Sequence, residues 1–487
     1  MALLSCLLFS AGLAFLGGCV SPAVPRTEIA GSPVVTYPAP KGSSLNSAFT
    51  VKVRPVGGDW QNVATYRMNV DAVVETNHKR KDTSAAFFDF SGPVEVSITY
   101  RRAEIRTARI RPLSFGIIPE VSKRTLVFSL TQPRNLSIEV NDDIFGNLQL
   151  FANPLEMSRP APSAPNVLYY GSGIHAVPGG KVKLLSGQTL YLAGGAILRA
   201  EVDCINVENV RVIGRGMIDQ ENHGGVQLFH AKNVDIEGIY TPHITIGNSQ
   251  DVAVRNVKCI SYWGYGDGMN IFSSDRVLID GVFNRNSDDC ITVYGTRGQF
   301  LGGVKGVVVK NSTLWADVAH PILIGTHGNT KSPDTLEDLT FSNIDILDHM
   351  ERQLDYQGCM SLNAGDSNLI RNVLFEDIRV EDFRCGQLVN LRVFYNRKYC
   401  TSPGRGIEDV TFRNITYTGS HAEQSVICGY DETRKVRNVT FENLSINGVV
   451  IADDMKKPGW FKTSDMARFF VGDYVEGLKF VASGGAK

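Results

Sequence analysis

Short runs in which apolar and polar residues alternate dominate this chain, and they come in two styles. Between residues 47 and 152 the runs are separated by turn residues roughly every 8–12 positions. Residues 49–53 (F-T-V-K-V), 94–100 (V-E-V-S-I-T-Y), 125–130 (T-L-V-F-S-L) and 136–140 (L-S-I-E-V) are examples. A period of two describes a strand with one buried face. Many such strands with frequent turns predict an antiparallel β-sandwich over residues 47–157.

Beyond residue 165 the runs become a repeat. A cassette of the form Asn/Asp-Val-x-Val/Phe recurs, and its first apolar residue falls at Val210, Val234, Val252, Val277, Val307, Leu339, Val373, Val410 and Val439. The steps between them are 24, 18, 25, 30, 32, 34, 37 and 29 residues. Each step has room for about three strands and contains no amphipathic helix, so the period reads as a solenoid. No leucine-rich frame recurs. The expected fold is therefore all-β: a right-handed parallel β-helix over residues 166–450, preceded by the sandwich. The lengthening steps after Val277 imply loops growing on one side, where a solenoid carries function.

The rest of the chain is divided by composition. Residues 20–46 and 158–165 are rich in proline and small residues and read as linkers. Residues 451–487, where the cassette fades, read as a cap or tail. Residues 3–15 are apolar, too short for a membrane span, and are followed by Leu16-Gly17-Gly18-Cys19. That reads as a signal peptide over residues 1–19. Its small residues before Cys19 resemble a bacterial lipobox, with Cys19 the lipidated residue, although no Lys or Arg precedes the apolar run. The expected location is outside the cytoplasm, secreted or lipid-anchored at the bacterial envelope, with the outer membrane as a partner through that anchor.

Net charge adds little. The chain has 487 residues, 49 Lys+Arg against 50 Asp+Glu, which gives no electrostatic reason to expect nucleic acid. Outside the leader seven cysteines are scattered without a C-x-x-C pair, so neither a zinc site nor any other metal or cofactor is expected. Cys385 and Cys400 are the one pair close enough in sequence to consider as a disulfide.

Candidate chemistry concentrates between residues 263 and 328. The stretches W-G-Y-G-D-G-M-N-I, S-D-D-C-I-T-V and A-H-P-I-L-I-G place Asp267, Asp288, Asp289 and His320 just before short apolar runs. Asp267 and Asp288 are 21 residues apart, close to one coil, which predicts that they stack in register and that the four groups meet on one outer face. Asp288 and Asp289 would face opposite sides of a regular strand, so a bulge or turn at residues 287–288 is expected. Clustered carboxylates raise at least one pKa. A raised acid beside ionised partners is equipment for glycoside hydrolysis, with inversion if roughly 6.5–9.5 Å separates the carboxyls.

These motifs resemble the polygalacturonase-like clan of glycoside hydrolases, family 28, whose fold is a β-helix of the pectin-lyase type. Residues 212–219 (V-I-G-R-G-M-I-D) look like the clan's I-x-G-x-G-x-I-D-G, Tyr265-Gly266-Asp267-Gly268 like N-T-D-G, Asp288-Asp289-Cys290-Ile291 like D-D-C-I, and residues 319–325 like G-H-G-x-x-I-G. The sandwich ahead of the helix is more like family 49, the dextranases and isopullulanases. The resemblance implies Asp288 as general acid, Asp267 and Asp289 as the pair holding water, and His320 as an aid to the acid's protonation. The clan's R-I-K has its nearest counterpart in Arg352-Gln353-Leu354. Leu354 carries no charge, which points to a neutral polysaccharide or oligosaccharide rather than polygalacturonate.

Trp263, Tyr265, Tyr294 and Tyr356 are candidates to stack on sugar rings, and His327 and Arg352 to line the cleft. Two rival functions fit the same solenoid: a Ca²⁺-dependent polysaccharide lyase, in which the acids hold the ion, and a non-catalytic glycan-binding module.

Overall fold

The computed structural model describes residues 26–28, 33–73, 77–156 and 158–482. The leader, with Cys19, lies outside the described residues. Among those described, no helix is long and apolar enough to cross a membrane.

The N-terminal part is a sandwich of two sheets. One is antiparallel, in the order Gln61–Val63, Phe49–Pro55, Val94–Tyr100, Thr125–Leu130, Glu120–Ser122. The other runs Val34–Thr36, Arg80–Phe90, Asp143–Pro154, Arg134–Val140, Ala108–Arg111, with Thr65–Asp71 also paired to Arg80–Phe90. The antiparallel expectation fails at one place. Arg80–Phe90 and Asp143–Pro154 run parallel, because the intervening chain crosses to the other sheet and returns. The core between the sheets is the alternating set, including Val51, Val53, Phe88, Val96, Ile98, Leu136, Ile138 and Leu148.

The stretches read as linkers also carry strands. Val34–Thr36 pairs with Phe90, Asp89 and Phe88 because Val34 is apolar enough to be buried in the sandwich core. Arg26–Glu28 pairs with Ser158–Pro160, where a proline is tolerated at a strand edge.

The remainder is a 31-stranded sheet wound into a parallel β-helix, with Gly386–Gln387 and Ala422–Glu423 paired separately. The nine cassette positions lie in unbroken register: Val210, Val234, Val252, Val277, Val307, Leu339, Val373, Val410 and Val439 are consecutive partners on one face. The residue ahead of each explains the cassette. Asn209, Asn233, Asp251, Asp338, Asn372, Asp409 and Asn438 have φ between 54° and 59°, the left-handed region that Asn and Asp enter most readily. Their side chains also bond from coil to coil, as in Asn372 Nδ2 to Asp338 Oδ1 (3.2 Å) and Asn438 Nδ2 to Asp409 Oδ1 (2.9 Å). Inside, Phe341, Phe375, Phe412, Phe441 and Phe480 stack with successive centroids 4.6–5.1 Å apart.

Phe480 shows that residues beyond 450 do more than trail. Phe469–Val471 and Lys479–Val481 add to the helix as a last partial coil, because their apolar residues close its open end. The suggested Cys385–Cys400 pair is not bonded; both are free. Cys385 faces Glu423, whereas Cys400 reaches the Thr326 carbonyl. A 15-residue separation within a long coil places them on different loops.

The second face of the helix packs on the sandwich, through Ile197, Met217, Tyr240, Ile260 and Phe283 against Tyr66, Met68, Val70 and Phe151. The turns from this face to the third one therefore emerge beside the sandwich.

The aromatic stack generates a stability prediction. Phe412→Ala should cost about 3–5 kcal/mol in chemical denaturation. A loss below about 1 kcal/mol would show that the stack does not hold the coils together.

Candidate active site

Three successive turns build the site. Residues 261–268 join Lys258–Ile260 to Met269–Phe272. Residues 287–290 join Phe283–Asn286 to Ile291–Tyr294. Residues 317–321 join Val304–Ala316 to Ile322–Gly325. Met269, Ile291 and Ile322 are consecutive partners. Counting back two residues puts Asp267, Asp289 and His320 in one column. Backbone bonds support that register, Gly268 N–H to Asp289 O at 2.8 Å and Cys290 N–H to His320 O at 2.8 Å.

This corrects the expected stacking: Asp289, not Asp288, is the coil mate of Asp267. Asp288 reaches the cluster from one residue earlier, because residues 287–288 form a bend rather than a strand. One oxygen of each of the three aspartates lies within 4.8 Å of the others. The cluster is also less exposed than the sequence implied. Asp267 and Asp288 are half-buried, Asp289 is buried, and His320 is fully buried.

Hydrogen bonds set the charge state. Asp289 Oδ1 accepts the His320 backbone N–H (3.1 Å) and faces His320 Nδ1 (2.7 Å), while Tyr294 O–H donates to Oδ2 (3.2 Å). His320 Nε2 faces the Tyr356 carbonyl. An acid oxygen and a carbonyl both call for N–H donors from the ring, which favours the imidazolium form of His320. Burial opposes that charge, but the Asp289 and Glu351 carboxylates outweigh it and hold the His320 pKa above its ordinary value. His320 bonds to Asp289 and the Tyr356 carbonyl, and no hydrogen bond from it to Asp288 is found among the described residues.

The other two acids are pushed the opposite way. Burial first, then the Asp289 charge, raises Asp267 to about 7, against the pull of an Asn270 Nδ2–H bond at 2.9 Å. Burial, then Asp267 and Asp289, raises Asp288 well above the usual carboxylate range. Both shifts favour the protonated form.

Several supporting residues carried no signal in the sequence. Thr292 O–H donates to Asn270 Oδ1 (2.5 Å), turning the amide so that its N–H₂ meets Asp267. His243 Nδ1 lies 2.7 Å from the Asp267 carbonyl. His349 Nδ1 lies 2.7 Å from the Ala319 carbonyl and its Nε2 accepts the Gly358 N–H (3.1 Å). That fixes a neutral ring, and burial and His320 depress its pKa to about 3. His349 thereby supports the turn in which Ala319 has φ 59°. Only their places, His243 directly before a strand, His349 directly after one, and Asn270 and Thr292 within strands, could have flagged them.

The aromatic candidates divide. Tyr294 is buried, parallel to Phe272 at 5.6 Å. Tyr356 is buried between His320 (4.7 Å) and Tyr399 (4.5 Å). Neither offers a free ring face; both hold the acid–histidine pair, a correction that follows from the long loops covering them. Tyr265 is 90% exposed with φ 59°, and Trp263 is half-buried with its ring on His223. His327 is half-buried near Arg297 (3.5 Å), and burial and that cation lower its pKa to about 4. Arg352 is exposed.

These turns fall within a stretch that matches a known family. The profile of glycosyl hydrolases family 28 matches residues 204–459, just over half of the chain. Endopolygalacturonase B of Aspergillus niger is 26% identical over 239 residues, 47% of this chain and 59% of that protein. A probable endopolygalacturonase D of Neosartorya fischeri is 27% identical over 224 residues, 45% of this chain and 42% of that one. The chain thus spans about half the length of these curated relatives. Among solved structures, Dex49A from Penicillium minioluteum superposes with a TM-score of 0.61 at 12% identity, covering 95% of this chain and all of that one.

The raised acids cost stability at high pH. A buried Asp288 that resists ionisation favours the fold fully below about pH 4, where the unfolded carboxyl is also protonated. That contribution is lost as pH climbs toward its folded value. Asp288→Asn should therefore melt roughly 2–4 °C above the parent at pH 8, with the gap closing below pH 4. An unchanged melt at pH 8 would refute the burial cost.

Proposed function

This chain belongs to glycosyl hydrolases family 28, and from that premise we propose that it hydrolyses O-glycosidic bonds in a polysaccharide or oligosaccharide with inversion. The observation that carries the reading is the convergence of three aspartates within 4.8 Å, of which Asp289 bonds His320 and Tyr294 and Asp267 bonds Asn270. Asp288 gives its proton to the departing glycosidic oxygen. Asp267, held by Asn270, and Asp289, held by His320 and Tyr294, orient a water and take its proton as its oxygen bonds the anomeric carbon. Carboxyl spacing does not itself select inversion, since the oxygens stand closer than the roughly 6.5–9.5 Å of the general pattern; family membership supports it.

The finer reading is a neutral glycan, supported by Leu354, which is 65% exposed and uncharged at the place of the clan's lysine. One observation favours an acidic glycan instead. Lys398, from a different loop, brings its Nζ within 3.4 Å of Gln353 Oε1, beside that same segment. Action outside the cytoplasm, with attachment through Cys19, is part of the proposal and rests on the leader sequence.

Asp288→Asn should lower kcat by about 10²–10⁴ without loss of the folded state. Proton NMR of the first product should show the inverted anomer, and a chelator should leave the rate unchanged. A retained anomer would refute inversion. An unsaturated, ultraviolet-absorbing product lost with chelator would identify a lyase, and binding without any product would identify a glycan-binding module.

A further inference from the structure

The turn between the second and third faces varies in length along the helix. Residues 242–243 form a minimal turn between Tyr240–Thr241 and Ile244–Gly247, while the turns on either side, residues 219–225 and 261–268, are long. The two long turns meet across the short one. Trp263 lies flat on His223, with centroids 4.0 Å apart and planes 6° apart, and Tyr262 stands edge-on to Trp263 at 5.9 Å. The sandwich closes the group. Arg80 places its guanidinium 4.6 Å over the Tyr262 ring and 2.9 Å from Glu221, to which Tyr262 O–H also donates (2.7 Å).

We propose that these five residues form a sugar-binding subsite beside the acid cluster, one wall of which is supplied by the β-sandwich. The inference rests on the glycan reading above. Arg80 and Glu221 remain 53% and 59% exposed, and an ion pair so open to water contributes little to folding. Held against an aromatic ring, the same groups present a planar face and charged hydrogen-bonding groups to solvent, the combination that takes a pyranose ring and its hydroxyls. Their position relative to the acids is fixed. The Trp263 carbonyl accepts the Ser287 hydroxyl and the Gly266 N–H (3.1 Å), so the aromatic group is tied to the residues flanking Asp288 and Asp267. A chain lying across the acids would therefore reach it with a sugar removed from the scissile bond.

The test uses oligosaccharide ladders of dextran and of homogalacturonan, with the full chain and its Arg80→Ala, Arg80→Lys and His223→Ala variants. For the ladder that is cleaved, Arg80→Ala and His223→Ala should raise KM about tenfold on long oligomers. They should leave kcat/KM on the shortest cleaved oligomer unchanged, and Arg80→Lys should recover part of the loss. Equal effects at every length, or none, overturn the subsite. Calorimetry with Asp288→Asn separates this from turnover. Affinity should rise with oligomer length in Asp288→Asn and stay flat in Asp288→Asn/Arg80→Ala. Identical profiles, or no binding of either ladder, overturn the subsite whether or not the chain proves to be a hydrolase.

Discussion

Coil stacking is the constraint from which the rest follows. Each strand of the helix satisfies its backbone groups only by pairing with the strands one coil before and one coil after. Strand spacing is then fixed near 4.8 Å, and register is fixed wherever a Val or Leu must point inward. Residues at equivalent places in successive turns have no freedom to miss one another. Asp267, Asp289 and His320 are brought together by that rule. Like charges in neighbouring coils are forced closer than they would choose, and the fold tolerates this because hundreds of backbone and apolar contacts hold the stack.

The same rule explains why three acids of one kind have different surroundings. Asp289 has an imidazolium within reach because the next coil supplies His320 in its column. Asp267 has an amide, Asn270, aligned by Thr292 of the coil beyond. Asp288, out of column on a bend, accepts the Asp289 backbone N–H (3.0 Å) and stands among the Asp267, Asp289 and Glu351 carboxylates. Protonation is the cheapest response of such a group. The three carboxyls thus differ in surroundings because of the register of the stack, through the environment that each turn inherits.

The sandwich is bound to the helix by contacts that a freely swinging module would not need. Arg285, fully buried, pairs with Asp317 (2.9 Å), donates to Asn147 (3.0 Å) and the Ile144 carbonyl (2.9 Å), and lies 4.0 Å over Trp315. Arg111 of the sandwich pairs with Glu381 of the helix (2.6 Å), and Arg215 of the helix with Asp89 of the sandwich (2.8 Å). Buried charges are costly unless fully paired, so such pairs penalise any sliding of one part against the other. Near the site, Gln220 bonds the Asn69 main chain (2.8 Å) and the Ile260 carbonyl (3.2 Å), just before the turn that carries Asp267.

Much of this was legible in one dimension. Period-two alternation determined that the elements are strands, and the recurrence of Asn/Asp before Val determined where each coil turns. All nine cassette positions proved to be partners because the side chains that set the repeat are the ones that fill the core. The identity of Asp267, Asp288, Asp289 and His320 as one group followed from their common place before apolar runs. Tertiary structure alone decided which aspartate sits in the column, since one residue of bend outweighs a count of 21 along the chain. It alone decided that Tyr294 and Tyr356 brace the site from within, that Val34 belongs to the sandwich core, and that Cys385 and Cys400 have different partners. The physical reason is the same each time. Local pattern records whether a residue is buried, whereas what it is buried against depends on loops from distant coils, whose lengths carry no period to read.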